Sequence, residues 1–410
     1  MTTDMMPDKT TIAVAGVSAV ATLALLVASS QVGAAQWYIE PRASLDTFYD
    51  DNIRLDERHH ESTFGTAINA SVAAGKRTEI TDLAVGLKLS SSRYTETSDL
   101  DRTDGSLSLA GDYQLGRSRL GLAAGFDYDS TLTSEQATSG LVQTNKRRRR
   151  LAVAPSWKYQ LTPRSVMEAS YGHEDVSYED AEAIPLYDYS FDTLTLRDTY
   201  ALDERLELIG RFGYARYQSD QVDSETESLS AELGVNYLLT ETSTVSAFAG
   251  IRRSSEELTA VAGGGHQDSS GPLFELAYRK RFERGELALG AERSLLPSSD
   301  GSLLDTTGLS LAFRTPLDER WNLGIDARGY RNRNLDASSP GAAGDDRDYL
   351  EVTPSVERRL TDAFTLALSY HYRWQSRDGE SDDAISNALF LTLTYAPPRE
   401  SVERWSRVER

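Results

Sequence analysis

Five consecutive cations, Lys146-Arg147-Arg148-Arg149-Arg150, form the densest chemistry in the sequence. On an extended chain their side chains alternate, three to one face and two to the other. An outward set would offer bidentate guanidinium contacts to the phosphates of lipopolysaccharide. An inward set would bring positive charge to the mouth of a lumen. The competing reading is a solvated strand start whose charge blunts edge pairing. Asp50-Asp51-Asn52 gathers oxygen ligands, but the spacing of a calcium loop is missing. A structural role at a strand end, through an Asx turn, is the plainer account. His59 and His60 are adjacent and would point apart on a strand, so no metal site is expected. The sequence sets neither a serine nor a carboxylate beside His371, so a hydrolase remains an alternative without catalytic residues to assign. Gly263-Gly264-Gly265 lies in a polar loop, not between a strand and a helix, and no cofactor is expected.

Ten more charges fall on one face of strongly alternating segments: Arg119, Asp127, Arg197, Glu207, Arg211, Glu232, Arg252, Asp326, Arg328 and Arg373. The opposite face of these segments is apolar. Leu389, Leu391, Leu393 and Tyr395 share one side of the last segment. Phe364, Leu366, Leu368, Tyr370, Tyr372 and Trp374 share one side of the segment before it. Period-two alternation marks β-strands. An apolar face ending in aromatics, set against a small, polar and charged face, describes a transmembrane barrel strand. The ten charges then line a pore, and mixed signs around a pore suit ions and sugars. Alternatively they pair and fill the lumen.

The elements that must position these residues form an up-and-down series. Short turns fall at Gly75-Lys76-Arg77, Gly116-Arg117, Leu161-Thr162-Pro163, Leu202-Asp203-Glu204, Thr240-Glu241-Thr242, Glu283-Arg284-Gly285, Pro316-Leu317-Asp318 and Leu360-Thr361-Asp362. They recur about every 40 residues, one hairpin plus its connections. Nine longer polar segments separate them. Eight turns and nine loops imply a single all-β, antiparallel barrel of about 18 strands, with 16 the nearest alternative, and both chain ends on the short-turn side. A soluble sandwich or β-helix is the competing architecture. The segments Ser134–Asn145 and Leu335–Asp346 are the ones expected to fold inward as constrictions.

Residues 1–35 read as a signal peptide: an apolar stretch, Ile12 to Val27, precedes small residues that suit cleavage after Ala34 or Ala35. An uncleaved anchor is the alternative. The barrel is expected over 36–397, with a charged periplasmic tail over 398–410. No apolar run of about 18 residues follows Val27, so no helical span is expected beyond the leader. The absence of cysteine excludes disulfides and thiol chemistry, and a net charge of −20 argues against nucleic acid as a partner.

One repeat stands out. Pro155-Ser156-Trp157-Lys158-Tyr159-Gln160-Leu161-Thr162 is echoed by Pro354-Ser355-Val356-Glu357-Arg358-Arg359-Leu360-Thr361. Each proline lacks an N–H and predicts a local break in the ladder. With Trp37-Tyr38-Ile39-Glu40-Pro41 and Phe48-Tyr49-Asp50-Asp51-Asn52-Ile53, these residues carry a resemblance to the β-barrel porin 2 group of bacterial outer-membrane proteins. That resemblance implies a pore-like barrel in the cell outer membrane. It also implies a link, as in some members, to exopolysaccharide or exosortase systems and to polysaccharide export components. A last strand ending in an aromatic, Tyr395, resembles the signal that outer-membrane assembly machinery reads. Two functions follow as expectations: a porin-like channel for hydrophilic solutes, or a non-conducting scaffold of a surface-polysaccharide system.

Overall fold

The computed structural model describes residues 35–135, 145–181, 184, 186–258, 265–335, 346–378, 382–397 and 400–401. The leader, apart from Ala35, lies outside these residues, as do most of the two segments expected to constrict the lumen. The first nine strands are β1 (Gln36–Asp50), β2 (Thr63–Arg77), β3 (Thr81–Tyr94), β4 (Arg102–Leu115), β5 (Ser118–Ser130), β6 (Arg147–Thr162), β7 (Ser165–Glu179), β8 (Tyr189–Ala201) and β9 (Leu206–Ser219). The rest are β10 (Ser224–Thr240), β11 (Ser243–Leu258), β12 (Gly265–Phe282), β13 (Gly285–Pro297), β14 (Leu303–Pro316), β15 (Trp321–Asn334), β16 (Arg347–Arg359), β17 (Phe364–Arg377) and β18 (Ala384–Tyr395). Each pairs antiparallel with its neighbours in sequence, and β1 closes the ring on β18 from Ala43↔Tyr395 to Asp50↔Ala388. This is the 18-stranded barrel that the alternation predicts. A two-residue segment, Glu400–Ser401, continues past β18 and pairs with Ile39 and Tyr38.

The apolar face points outward. Leu389, Leu391, Leu393 and Tyr395 are all exposed, as are Leu107, Leu122, Leu194, Phe212, Leu233 and Ile251 on other strands. So many bare leucines on a closed barrel, with no open edge and no helix of spanning length among the described residues, require lipid around them. Trp157, Tyr237, Trp321, Phe364 and Tyr395 form an aromatic girdle at the short-turn ends, and Tyr49, Tyr171 and Tyr370 are exposed aromatics farther up the same outer face. The protein is an outer-membrane barrel.

Seven of the eight short turns fall where the sequence sets them. The first is displaced to Thr78–Ile80, because Gly75-Lys76-Arg77 belongs to β2. Gly75 looks like a turn residue but serves as a seat. The Tyr38 ring covers it, with atoms 2.5 Å from where a β-carbon would stand. Gly116 shows the positive φ expected of a tight hairpin turn, +57°, and Gly285 in the β12–β13 turn has a φ of +126°. The two prolines act as expected: pairing of β6 with β7 lapses between Val153↔His173 and Ser156↔Ser170. That of β16 with β17 lapses between Val352↔Tyr372 and Ser355↔Ser369. In both cases the register is unchanged.

One hairpin departs from the cylinder. β12 pairs with β11 along its length, but with β13 only from Phe274↔Arg293 down to Phe282↔Gly285. Above that point the β13–β14 tip leaves the wall. The hydroxyl of Tyr217 on β9 donates to the Ser298 carbonyl at 2.9 Å, and the Tyr187 N–H donates to the Ser299 carbonyl at 2.7 Å. Tyr217 shares a face with Arg211, opposite the exposed Phe212, so the tip lies against the lumenal side of the wall.

Candidate functional site: a narrowed lumen

Among the described residues, three segments enter the lumen from the long-loop side, each for a local reason. The β13–β14 tip carries Leu295, Leu303 and Leu304. Leu303 joins Val176, Tyr189 and Tyr217 in a buried cluster against which Leu295 and Leu335 also pack. The sequence held a signal for this. Leu295-Leu296 and Leu303-Leu304 break the alternation on both sides of the Pro297–Ser302 loop, and a strand buried on both faces reads this way. The second segment is the helical turn Thr131–Ser134 after β5, capped by the Ser130 hydroxyl, which accepts the Leu132 N–H at 3.3 Å. Leu132 packs against Phe48, Tyr94 and Leu100. Glu135, 2% exposed, accepts hydrogen bonds from Tyr178 at 2.7 Å and from Ser299 at 2.8 Å, tying this turn to the β13–β14 tip. The third is the loop after β1, whose Leu55 is buried against Tyr349 and Ala384. Of the two segments expected to constrict the lumen, the described ends Glu135 and Leu335 both lie in this assembly.

Asp50-Asp51-Asn52 fastens that first loop. The Asn52 N–H donates to Asp50 at 3.0 Å, an Asx turn, and Asn52 Nδ2 donates to the Ile385 carbonyl at 2.9 Å. Asp51 accepts from both the backbone and the side chain of Asn387, at 2.6 and 2.8 Å. All three oxygen-bearing side chains are thus spent on stapling β1 to β18.

All ten charges singled out by alternation lie on the face opposite the exposed apolar residues, and most have partners. Arg119 bonds Asp112 at 3.0 Å and Asp127 bonds Arg150 at 3.1 Å. Glu207 accepts from Asn236 at 3.0 Å, and Asp326 pairs with Arg314 at 3.1 Å. Arg211 reaches Glu275 at 3.1 Å and Glu232 at 3.5 Å while lying 4.3 Å over the Phe248 ring, where Arg197 also lies at 5.8 Å. Arg328 pairs with Glu351 at 2.6 Å. Arg252 is 4% exposed, bonded to Asp305 and covered by the β13–β14 hairpin, so it stands behind the constriction. Arg373, bound to Asp50, is mostly covered as well.

The arginine run is likewise committed to carboxylates. Arg147 bonds Asp104 at 2.9 Å and lies 4.3 Å over the Tyr128 ring. Arg148 grips Asp129 through two bonds of 2.8 and 2.9 Å. Arg149 pairs with Glu179, and Arg150 with Glu174 at 2.6 Å in addition to Asp127. The Lys146 N–H donates to Thr131, joining the helical turn to β6. Arg149 keeps more than half of its side chain open to the outside.

His371, left without partners by the sequence, has them in the fold. Ser369 lies 3.1 Å from Nε2, Thr353 lies 3.3 Å from Nδ1 and Glu351 lies 3.6 Å away. The order serine, histidine, carboxylate is that of a nucleophile relay. Glu351, however, is already held by Arg328 and accepts from the Tyr349 hydroxyl at 3.1 Å. His59 and His60 are exposed residues of the first loop, and no cluster of metal-ligating side chains occurs among the described residues.

No family model matches the chain, and no curated protein matches it in sequence. Among solved structures it is similar to Pseudomonas aeruginosa OccK2 (OpdF) in complex with glucuronate. Identity is 12%, coverage is 88% of this chain and 98% of that one, and the TM-score is 0.46. It is also similar to Acinetobacter baumannii OccAB4, at 12% identity, 88% and 99% coverage and a TM-score of 0.45. The outer membrane protein opdK from Pseudomonas aeruginosa gives 12%, 88%, 99% and 0.44.

Proposed function

We propose that the protein is a passive outer-membrane channel for small hydrophilic solutes, narrowed on the long-loop side by the β13–β14 tip. The observation that carries this reading is the contrast between that tip and the wall below it. The tip obstructs one side of the lumen, whereas the β5–β8 wall is nearly bare. Ala123, Gly125, Ala152, Ala154, Gly172 and Thr193 line a recess of about 290 Å³ there, below the Arg150–Glu174 pair. A barrel of 18 strands is too wide for such residues to fill, so water occupies the space. Paired charges of both signs favour weak ion selectivity over a dedicated ion cage. An outward-facing Arg149 supports a phosphate contact with lipopolysaccharide. The link to surface polysaccharide rests on the resemblance alone.

Purified full-length protein in a planar bilayer is expected to show discrete openings, and replacing residues 298–302 with a short Gly-Ser connection is expected to enlarge them. Folded, heat-modifiable barrels that never conduct, with or without the tip, would replace the channel with the scaffold reading.

A further inference from the structure

Rows of lumenal residues can be followed from strand to strand. One row runs Arg42↔Ser71, Ser71↔Lys88, Lys88↔Ser106 and Ser106↔Asp127 across β1 to β5. The row above it runs Ser44↔Asn69, Asn69↔Ser90 and Ser90↔Asp104. With Thr133 of the inward helical turn as a roof, these rows line a recess of about 340 Å³. That volume lies within the range of about 300–1,000 Å³ typical of small-molecule sites.

The carboxylates at the β4–β5 side of the recess are neutralised. Asp104 is held by Arg147 at 2.9 Å and Arg102 at 3.3 Å, Asp127 by Arg150, and Asp129 by Arg148. Asn69 is also spoken for: it donates to Asp46 at 2.6 Å and accepts from Ser90 at 2.6 Å, which fixes its amide. Arg42 and Lys88 are different. Both are exposed within the lumen, and neither has a carboxylate within ion-pairing distance among the described residues. Their strands are two steps apart, a separation of about 10 Å, with Ser71 between them. Two long cationic side chains rooted at that spacing can close on one anion above Ser71, while Ser71 and Ser106 offer hydroxyls beside it.

We propose that this recess binds a hydroxylated organic anion, the chemistry of an acidic sugar unit. Its anionic group lies between Arg42 and Lys88, its hydroxyls meet Ser71 and Ser106, and the neutralised Asp104 accepts from one of them. Arginine supplies the planar, bidentate contact and lysine a mobile point charge. The inference deepens the channel reading by naming a solute class, and it rests on that reading only for transport, not for binding.

The test uses folded full-length protein in detergent, with gluconate as the probe and glucose and chloride as controls, read by titration calorimetry. Gluconate is expected to bind, glucose to bind at least tenfold more weakly, and the pair Arg42→Gln with Lys88→Gln to lose at least tenfold in gluconate affinity. Arg119→Gln, which removes a paired lumenal cation elsewhere, is expected to leave gluconate binding unchanged. Both target side chains are exposed, so heat-modifiable mobility confirms that the variants fold. Equal gluconate binding by the double variant, an equal loss in Arg119→Gln, or no binding by the wild type overturns the proposal. A barrel that binds gluconate through Arg42 and Lys88 yet never conducts supports the site and overturns the channel.

Discussion

Arg373 on β17 reaches past β18 to bond Asp50 on β1 at 2.6 Å, so a single ion pair spans the seam where the barrel closes. Ser386, on the strand between them, donates to Asp50 at 2.8 Å and accepts from Arg373 at 2.7 Å. Asp50 is 2% exposed. A covered charge with this many bonds is fixed, and removing either partner strands the other.

Asp50→Ala and Arg373→Ala should therefore each destabilise the folded barrel by about 3–5 kcal/mol. The double variant should lose less than the sum, because it strands neither charge. Urea unfolding in lipid vesicles reads both. Additive losses would show that the pair is not coupled.

Gly65 lies beneath the Phe48 ring, with atoms 2.2 Å from where a β-carbon would stand, and Phe48 stacks on Phe390 at 4.7 Å. Gly65→Val should push Phe48 out of its stack and destabilise by roughly 1–3 kcal/mol. In a Phe48→Ala background, Gly65→Val should cost less than it does in the wild type, because the ring it displaces is gone. The same unfolding series decides it.

Leu391, 45% exposed on the closing strand, faces lipid in the middle of β18. Leu391→Arg should cost roughly 2–4 kcal/mol near the bilayer midplane. Less heat-modifiable barrel in outer membranes is the expected outcome, and undiminished insertion would mean that the residue lies outside the apolar band.

In the first loop, the Asp56 carboxylate accepts the backbone N–H of His59 at 2.8 Å and of Arg58 at 2.9 Å, which hold its pKa below the ordinary aspartate range. A depressed carboxylate stabilises above its unfolded pKa and loses that contribution as pH falls through the folded one. Protease cleavage of the 51–62 loop should thus increase only in that acidic window, below about pH 4. Asp56→Asn should cleave faster at neutral pH and lose the acid-dependent rise. A wild-type loop equally resistant throughout would separate Asp56 from loop stability.

The faces of the strands were legible in the sequence because side-chain direction along a strand is a local property. Leu389, Leu391 and Leu393 must share a side whatever else the chain does. The strand count followed from punctuation, with one error at Gly75, whose role depends on Tyr38, a residue far away in sequence. The site was less legible. Alternation gives Arg252 and Arg42 the same lumenal face, yet one is buried under a hairpin and the other is open, with no carboxylate within ion-pairing distance among the described residues. That difference is set where the β12–β13 ladder ends, at Phe274↔Arg293, and by which carboxylates arrive from neighbouring strands. His371 illustrates the same limit, since Ser369 is near in sequence but Glu351 and Thr353 come from β16. Alternation decides which way a side chain points. Only the closed barrel, by bringing distant strands into register, decides what it meets there.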